Sequence, residues 1–170
     1  MLKFPVEFTR ISSSYTGRRF HPVQKVYKAH LGTDFAAPTD TPIRSVGDGI
    51  ILEARYHSGN GNYVKVKHNG IYATQYLHMS RIARGMRPGV KVKKGQTIGY
   101  VGSTGLARGP HLCFRFWKNG VQVDALKVDI PPSEPITEEN LTGYFSARDE
   151  ILQKLSAIEV PGTELFAGGF

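Results

Sequence analysis

Cysteine occurs once in this 170-residue chain, at position 113. A single thiol excludes an intramolecular disulfide framework, so the fold must rest on a packed core; it does not exclude export. Long apolar runs are missing too. No stretch approaches the roughly 18–20 apolar residues that a helical membrane span requires. The opening segment has no apolar signal core, because Pro5 and Glu7 interrupt it. The chain is therefore either cytosolic or the mature or trimmed part of something exported. Acidic residues are scarce before residue 131, with 7 Asp+Glu against 20 Lys+Arg; beyond it the balance reverses to 7 against 2. A basic body draws anionic partners such as nucleic acid, acidic lipid or an anionic wall polymer. Nucleic acid fits worst, since the positive residues are spread along the body and no recognition motif accompanies them.

What is present is enough for one core. The chain is 40% hydrophobic, and 15 of its 19 glycines lie before residue 131. Short apolar or alternating runs at 50–56, 63–67, 71–77, 96–101, 111–117 and 121–123 are separated by turn residues, among them Asn69-Gly70 and Asn119-Gly120. Many short strands with glycine turns predict an all-β domain, a largely antiparallel sheet or open barrel, over residues 1–130. The texture changes at Pro131-Pro132, which reads as a stiff connector into an acidic tail over 131–170. There Ile151, Leu155 and Ile158 recur on one helical face beside Leu152, with Ser146 as candidate cap and Pro161-Gly162 as the stop. This spacing predicts a short helix of two or three turns, packed on the domain or on a partner.

Chemistry concentrates in six histidines and the cysteine. His30 and Asp34 stand four apart around a glycine, in a bent loop-to-strand stretch. His111 and Cys113 stand two apart in an apolar run, which puts both side chains on one face of a strand. His78 ends the alternating run that begins at Thr74. Three groups drawn from His30, Asp34, His111 and Cys113 suit tetrahedral zinc, which takes imidazole, carboxylate and thiolate together. An Asp–His hydrogen bond in a polar loop, with an inert buried cysteine, is the alternative that spacing leaves open. His21, His57, His68 and Trp117 are read as surface, loop or packing residues.

The ordered series His30-Leu31-Gly32-Thr33-Asp34, Thr41-Pro42, Gly47-Asp48-Gly49, Tyr76-Leu77-His78, Gly95-Gln96-Thr97-Ile98-Gly99, Gly102-Ser103-Thr104-Gly105 and Gly109-Pro110-His111-Leu112-Cys113 resembles the lysostaphin/LytM-type zinc metallopeptidases. That family cleaves the peptide cross-links of bacterial peptidoglycan. The resemblance implies an antiparallel β core with a groove bordered by segments 17–29, 57–62 and 102–110. It implies Zn2+ ligands at His30 and Asp34, with Cys113 where the family has a third ligand histidine. His111 is implied as catalytic base or proton shuttle, and His78 as a donor that stabilises the transition state. It further implies an exported protein of the periplasm or cell envelope, its signal or anchor lying outside this chain, acting on peptidoglycan stem peptides.

Cys113 is the informative departure. With Asp34 it leaves a zinc site formally neutral, where two histidines and one aspartate leave +1, and so weakens polarisation of the substrate. Hence the competing expectation, a zinc-binding but catalytically weak domain that regulates cell-wall amidases. Asp40, where the family commonly has glycine, suits a turn. Arg108, in the loop before His111, faces either the substrate's carboxylates or solvent.

Overall fold

A computed structural model describes residues 4–21, 25–128 and 137–157. The chain divides into two compact units, Met1–Ile130 and Pro131–Phe170. The first carries twelve strands: β1 Arg10–Ser13, β2 Thr16–His21, β3 Val26–His30, β4 Thr33–Ala36, β5 Pro42–Arg44, β6 Gly49–His57, β7 Gly61–Lys67, β8 Tyr72–Ile82, β9 Lys91–Val92, β10 Thr97–Val101, β11 His111–Lys118 and β12 Val121–Val123. Ten form one sheet with the central order β1-β4-β11-β8-β7-β6-β9; β10 joins β8 to β5, and β12 extends β11. The β2–β3 hairpin stands apart as a second, two-stranded sheet. Every pairing is antiparallel, as the turn-rich sequence predicts.

Alternation decides which face of the sheet is core. In β11, Leu112, Phe114 and Phe116 point into the main cluster with Phe35, Ile43, Val64, Val66, Tyr76 and Ile98. Each such large apolar side chain contributes about 1.5–3 kcal/mol on burial. The intervening residues, His111, Cys113, Arg115 and Trp117, take the opposite face. Trp117 packs there under the Lys65 ammonium, 4.7 Å from its ring centre. Cross-strand register lays Tyr63, Leu77 and Cys113 beside one another, and they form a small second cluster.

Strand β8 breaks its own alternation. Tyr76 and Met79 both lie in the main core although they stand three positions apart. The register against β7 accounts for this: Val64 pairs with Tyr76 and Asn62 with Met79, so β8 carries one extra residue between them. His78 takes up the difference with φ of 61°, a left-handed conformation uncommon for a residue with a Cβ. The bulge turns the imidazole away from the core that simple alternation would give it.

Two local expectations change and one holds. The segment expected as an opening loop, 17–29, is largely the β2–β3 hairpin; the side chain of His21 lies outside what is described. Asn119-Gly120 forms the expected two-residue turn, both residues at positive φ. Asn69-Gly70 does not: Asn69 Oδ1 accepts from the backbone N–H of Ile71 and of Tyr72, each at 2.8 Å, making a wider side-chain-closed turn.

In the second unit, α1 spans Glu138–Ser156, nineteen residues, with Thr137 at its N-cap and Glu138 and Glu139 in its first turn. It begins well before Ser146, which is an interior residue; the acidic first turn complements the helix dipole and sets the true start. None of its residues is buried. The Pro131–Pro135 connector, Ile158 and the Pro161-Gly162 stop lie outside the described residues. Among the described residues no helix is long and apolar enough to cross a membrane.

Candidate metal and catalytic site

Backbone pairing assembles the site. Cys113 pairs with Asp34 across β11–β4, and His111 with Ala36, so the cysteine and aspartate share one row of the sheet. His30 arrives from the end of β3, with Gly32 between it and β4. Gly32 is needed here: a Cβ on it would sit about 3.0–3.1 Å from Arg115 Cγ, the Phe114 carbonyl oxygen and Cys113 Sγ. His30, Asp34 and Cys113 are all buried. His30, Asp34 and Cys113 each offer one ligand atom, and these atoms lie within 4.8 Å of one another.

The donor set fits a cation. His30 Nδ1 donates to the Ser14 carbonyl at 3.1 Å, which leaves the Nε2 lone pair facing inward in the neutral ring. That nitrogen lies 3.0 Å from Asp34 Oδ1 and 3.5 Å from Cys113 Sγ. Asp34 Oδ1 is buried and has no hydrogen-bond partner among the described residues. The inward lone pair, the buried carboxylate oxygen and the sulfur converge as a donor set suited to one small cation. Asp34 Oδ2 faces Arg19 Nη2 at 3.4 Å, which fixes the carboxylate's orientation. Burial pushes the Asp34 carboxyl up, but His30 and His111 outweigh it, so the group stays ionised below its ordinary range. The Cys113 thiol is pushed up by burial, with Asp34 adding to the effect. A metal taking this sulfur must displace its proton.

Two more histidines flank the row, with ring centres 4.8 Å apart. His111 Nδ1 donates to the Gly109 carbonyl at 2.8 Å, and His78 Nδ1 to the Thr104 carbonyl at 2.8 Å. A carbonyl can only accept, so both rings carry their proton on Nδ1 and present Nε2 as an acceptor. Burial, helped by the neighbouring His111, lowers His78 to about 4 against the pull of the Thr104 carbonyl. With Nδ1 donating to the Thr104 carbonyl, the neutral ring presents Nε2 to the groove as an acceptor.

Thr104 is the residue that sequence reading passed over. Its carbonyl orients His78, its hydroxyl donates to Met79 O at 2.7 Å, and it accepts the Asn62 N–H at 2.9 Å. The signal was the glycine pair around it: Gly61 and Gly105 approach so closely that a Cβ on Gly61 would collide with Thr104. His57, read as a bystander, is exposed, but its Nδ1 accepts from the Gly59 and Asn60 N–H groups and shapes that loop. Asn60 in turn accepts the His78 N–H at 2.9 Å. His68 is a half-buried brace between the Asp48 carbonyl at 2.7 Å and Thr74 Oγ1 at 2.8 Å. Asp40 adopts the turn expected of it, with φ of 66°, and its carboxylate holds Ser80 and Arg81.

The row opens into a groove of about 600 Å³ to which segments 17–29, 57–62 and 102–110 all contribute. Among the described residues its lining holds five cations, Arg10, Arg19, Lys28, Arg108 and Arg115, against one carboxylate, Asp34.

The sequence profile of peptidase family M23 matches residues 28–125. The chain is 40% identical over 154 residues to the peptidoglycan DD-endopeptidase ShyC of Vibrio cholerae, covering 91% of this chain and 35% of that protein. It thus spans about a third of the length of the curated relatives it matches. Among solved structures it is similar to a zinc-containing peptidase from Vibrio cholerae, with a TM-score of 0.70 and 40% identity over 76% of this chain and 40% of that one. It is similar also to the catalytic domain of lysostaphin from Staphylococcus simulans, with a TM-score of 0.60 and 30% identity over 68% and 87% of the two chains.

Proposed function

The chain belongs to peptidase family M23, and on that premise we propose that it is a zinc-dependent endopeptidase that hydrolyses peptide cross-links of bacterial peptidoglycan, outside the cytoplasm. The observation that carries this reading is the convergence of His30 Nε2, Asp34 Oδ1 and Cys113 Sγ, with two further histidines directing their Nε2 atoms into the same groove. Residues 1–130 contain all five side chains and are the catalytic unit.

His30, Asp34 and Cys113 would hold the metal. Zinc supplies Lewis acidity there, polarising the scissile carbonyl and acidifying the attacking water. His111 takes the water's proton at Nε2 and returns one to the departing amine; its Nδ1 bond to the Gly109 carbonyl stabilises the cation formed in between. His78 accepts the water's other hydrogen at Nε2, and its burial keeps it neutral while His111 cycles. Two acceptors fix the orientation of one nucleophile. Asp34 is kept from rotating by Arg19.

The test is turnover of purified D-alanyl–diaminopimelate cross-linked muropeptide dimers by the zinc-loaded chain, followed by chromatography. Monomers should accumulate, chelation should stop them, and His111→Ala should abolish them with zinc still stoichiometric. Full zinc occupancy with no product from any cross-link would sink the peptidase reading and leave the metal-binding regulator of amidases.

A further inference from the structure

Each of the two ligands that would carry negative charge on a metal has an arginine beside it. Arg19 Nη2 faces Asp34 Oδ2 at 3.4 Å. Arg115 stands two residues beyond Cys113 on β11, so both side chains leave the strand on one face, about 7 Å apart at the backbone. Gly32 marks where they meet above the strand: a Cβ there would sit 3.0 Å from Arg115 Cγ and 3.1 Å from Cys113 Sγ. The arginine stem and the sulfur thus abut one point. Arg115 Nε is buried with no hydrogen-bond partner among the described residues, and the residue opposite on β8 is the neutral Gln75. The Arg115 charge acts on the Cys113 sulfur and on His78, and its side chain lines the groove.

We infer that Arg115 is a positioning residue for Cys113: it holds a counter-charge beside the sulfur and so returns to the metal site the unit of positive charge that cysteine removes. The inference rests on the ligand set of the peptidase reading above. Asp34 and a Cys113 thiolate together cancel the two charges of zinc, where one aspartate and two histidines leave one over. A guanidinium beside a thiolate draws electron density on the sulfur away from the metal, which stays the stronger Lewis acid. Arginine suits a half-buried place because its guanidinium remains charged there. Cysteine at position 113 is then one half of a matched pair, and the same strand face supplies the other half two residues on.

Cobalt(II) loaded into the full chain in place of zinc reports on the sulfur directly, through the sulfur-to-cobalt charge-transfer absorption. Losing a positive charge beside the sulfur raises the energy of its lone pairs. Arg115→Gln should therefore move this band to longer wavelength, and Arg115→Lys should bring it most of the way back. In the zinc-loaded chain Arg115→Gln should lower kcat on cross-linked dimers about tenfold, with KM kept within about twofold. Made in Cys113→His, the same substitution should change kcat by less than about twofold, because no thiolate is left to offset. A band that stays in place overturns the inference. So does a risen KM with kcat kept, which makes Arg115 a substrate contact, and so does a tenfold loss repeated in Cys113→His. Failure of Arg115→Gln alone to take up cobalt, with Arg115→Lys loading normally, supports the counter-charge; failure of both overturns it. A shifted band in a chain without turnover keeps the inference and sinks the peptidase reading, and turnover with an unmoved band does the reverse. Absence of a thiolate band from the unsubstituted chain overturns the inference together with the ligand set.

Discussion

At the scale of single residues, the proposed chemistry turns on Cys113 and His78. Cys113 sits on the row that pairs it with Asp34, and a thiolate there would donate more charge to a bound metal than imidazole does. Cys113→His should keep zinc stoichiometric and raise kcat on cross-linked dimers by on the order of tenfold, as the site gains one formal positive charge. Cys113→Ala should lose stoichiometric zinc, which metal analysis reports independently of activity. His78 makes a second, separable contribution, to stability. Its folded-state value of about 4 lies below the ordinary 6.5, so the unfolded chain takes up the proton first. The resulting stabilisation, about 3 kcal/mol, is complete above pH 6.5 and is lost as pH falls through 4. Burial lowers His68 too, which adds in the same direction. Urea unfolding of the metal-free chain at pH 7 and pH 4 should show this loss, and His78→Gln should shrink the difference.

At the scale of elements, the segments that were legible are those whose pattern is periodic. Alternation foretold the two faces of β7, and in β11 it placed His111 and Cys113 on one face, which the structure turns away from the main core. The ligand spacing around Gly32 was legible as a bend. The β2–β3 hairpin was not, because its exposed strands, with Phe20 and Tyr27 packed edge-on outside, carry no buried face for a pattern to report. Nor was the true start of α1, since a helix with no buried residue gives its apolar spacing little to reflect. The fastening of the 102–110 segment to β7 is likewise a matter of backbone contact. Gly61 (φ 67°) and Gly105 (φ 72°) allow it. Gly61→Ala forces a Cβ into Thr104 and strains the turn, so the chain should lose about 2 kcal/mol or more of unfolding free energy in a chemical melt. Because Thr104 orients His78, turnover of the surviving folded fraction should fall as well.

At the scale of the whole chain, charge and connectivity govern where the groove works. Residues 1–130 carry the whole excess of positive charge, 20 Lys+Arg against 7 Asp+Glu, and the tail carries the opposite sign. Co-sedimentation with peptidoglycan sacculi should therefore weaken as salt rises from about 0.05 to 0.5 M, where screening shortens to a few ångströms. Persistence of binding across that range would assign it to apolar contacts instead. The extra residue in β8 has a broader consequence. Removing it would restore alternation between Tyr76 and Met79 against β7 and take the imidazole from the groove. In this architecture one backbone residue in β8 decides whether an imidazole faces the groove or the core.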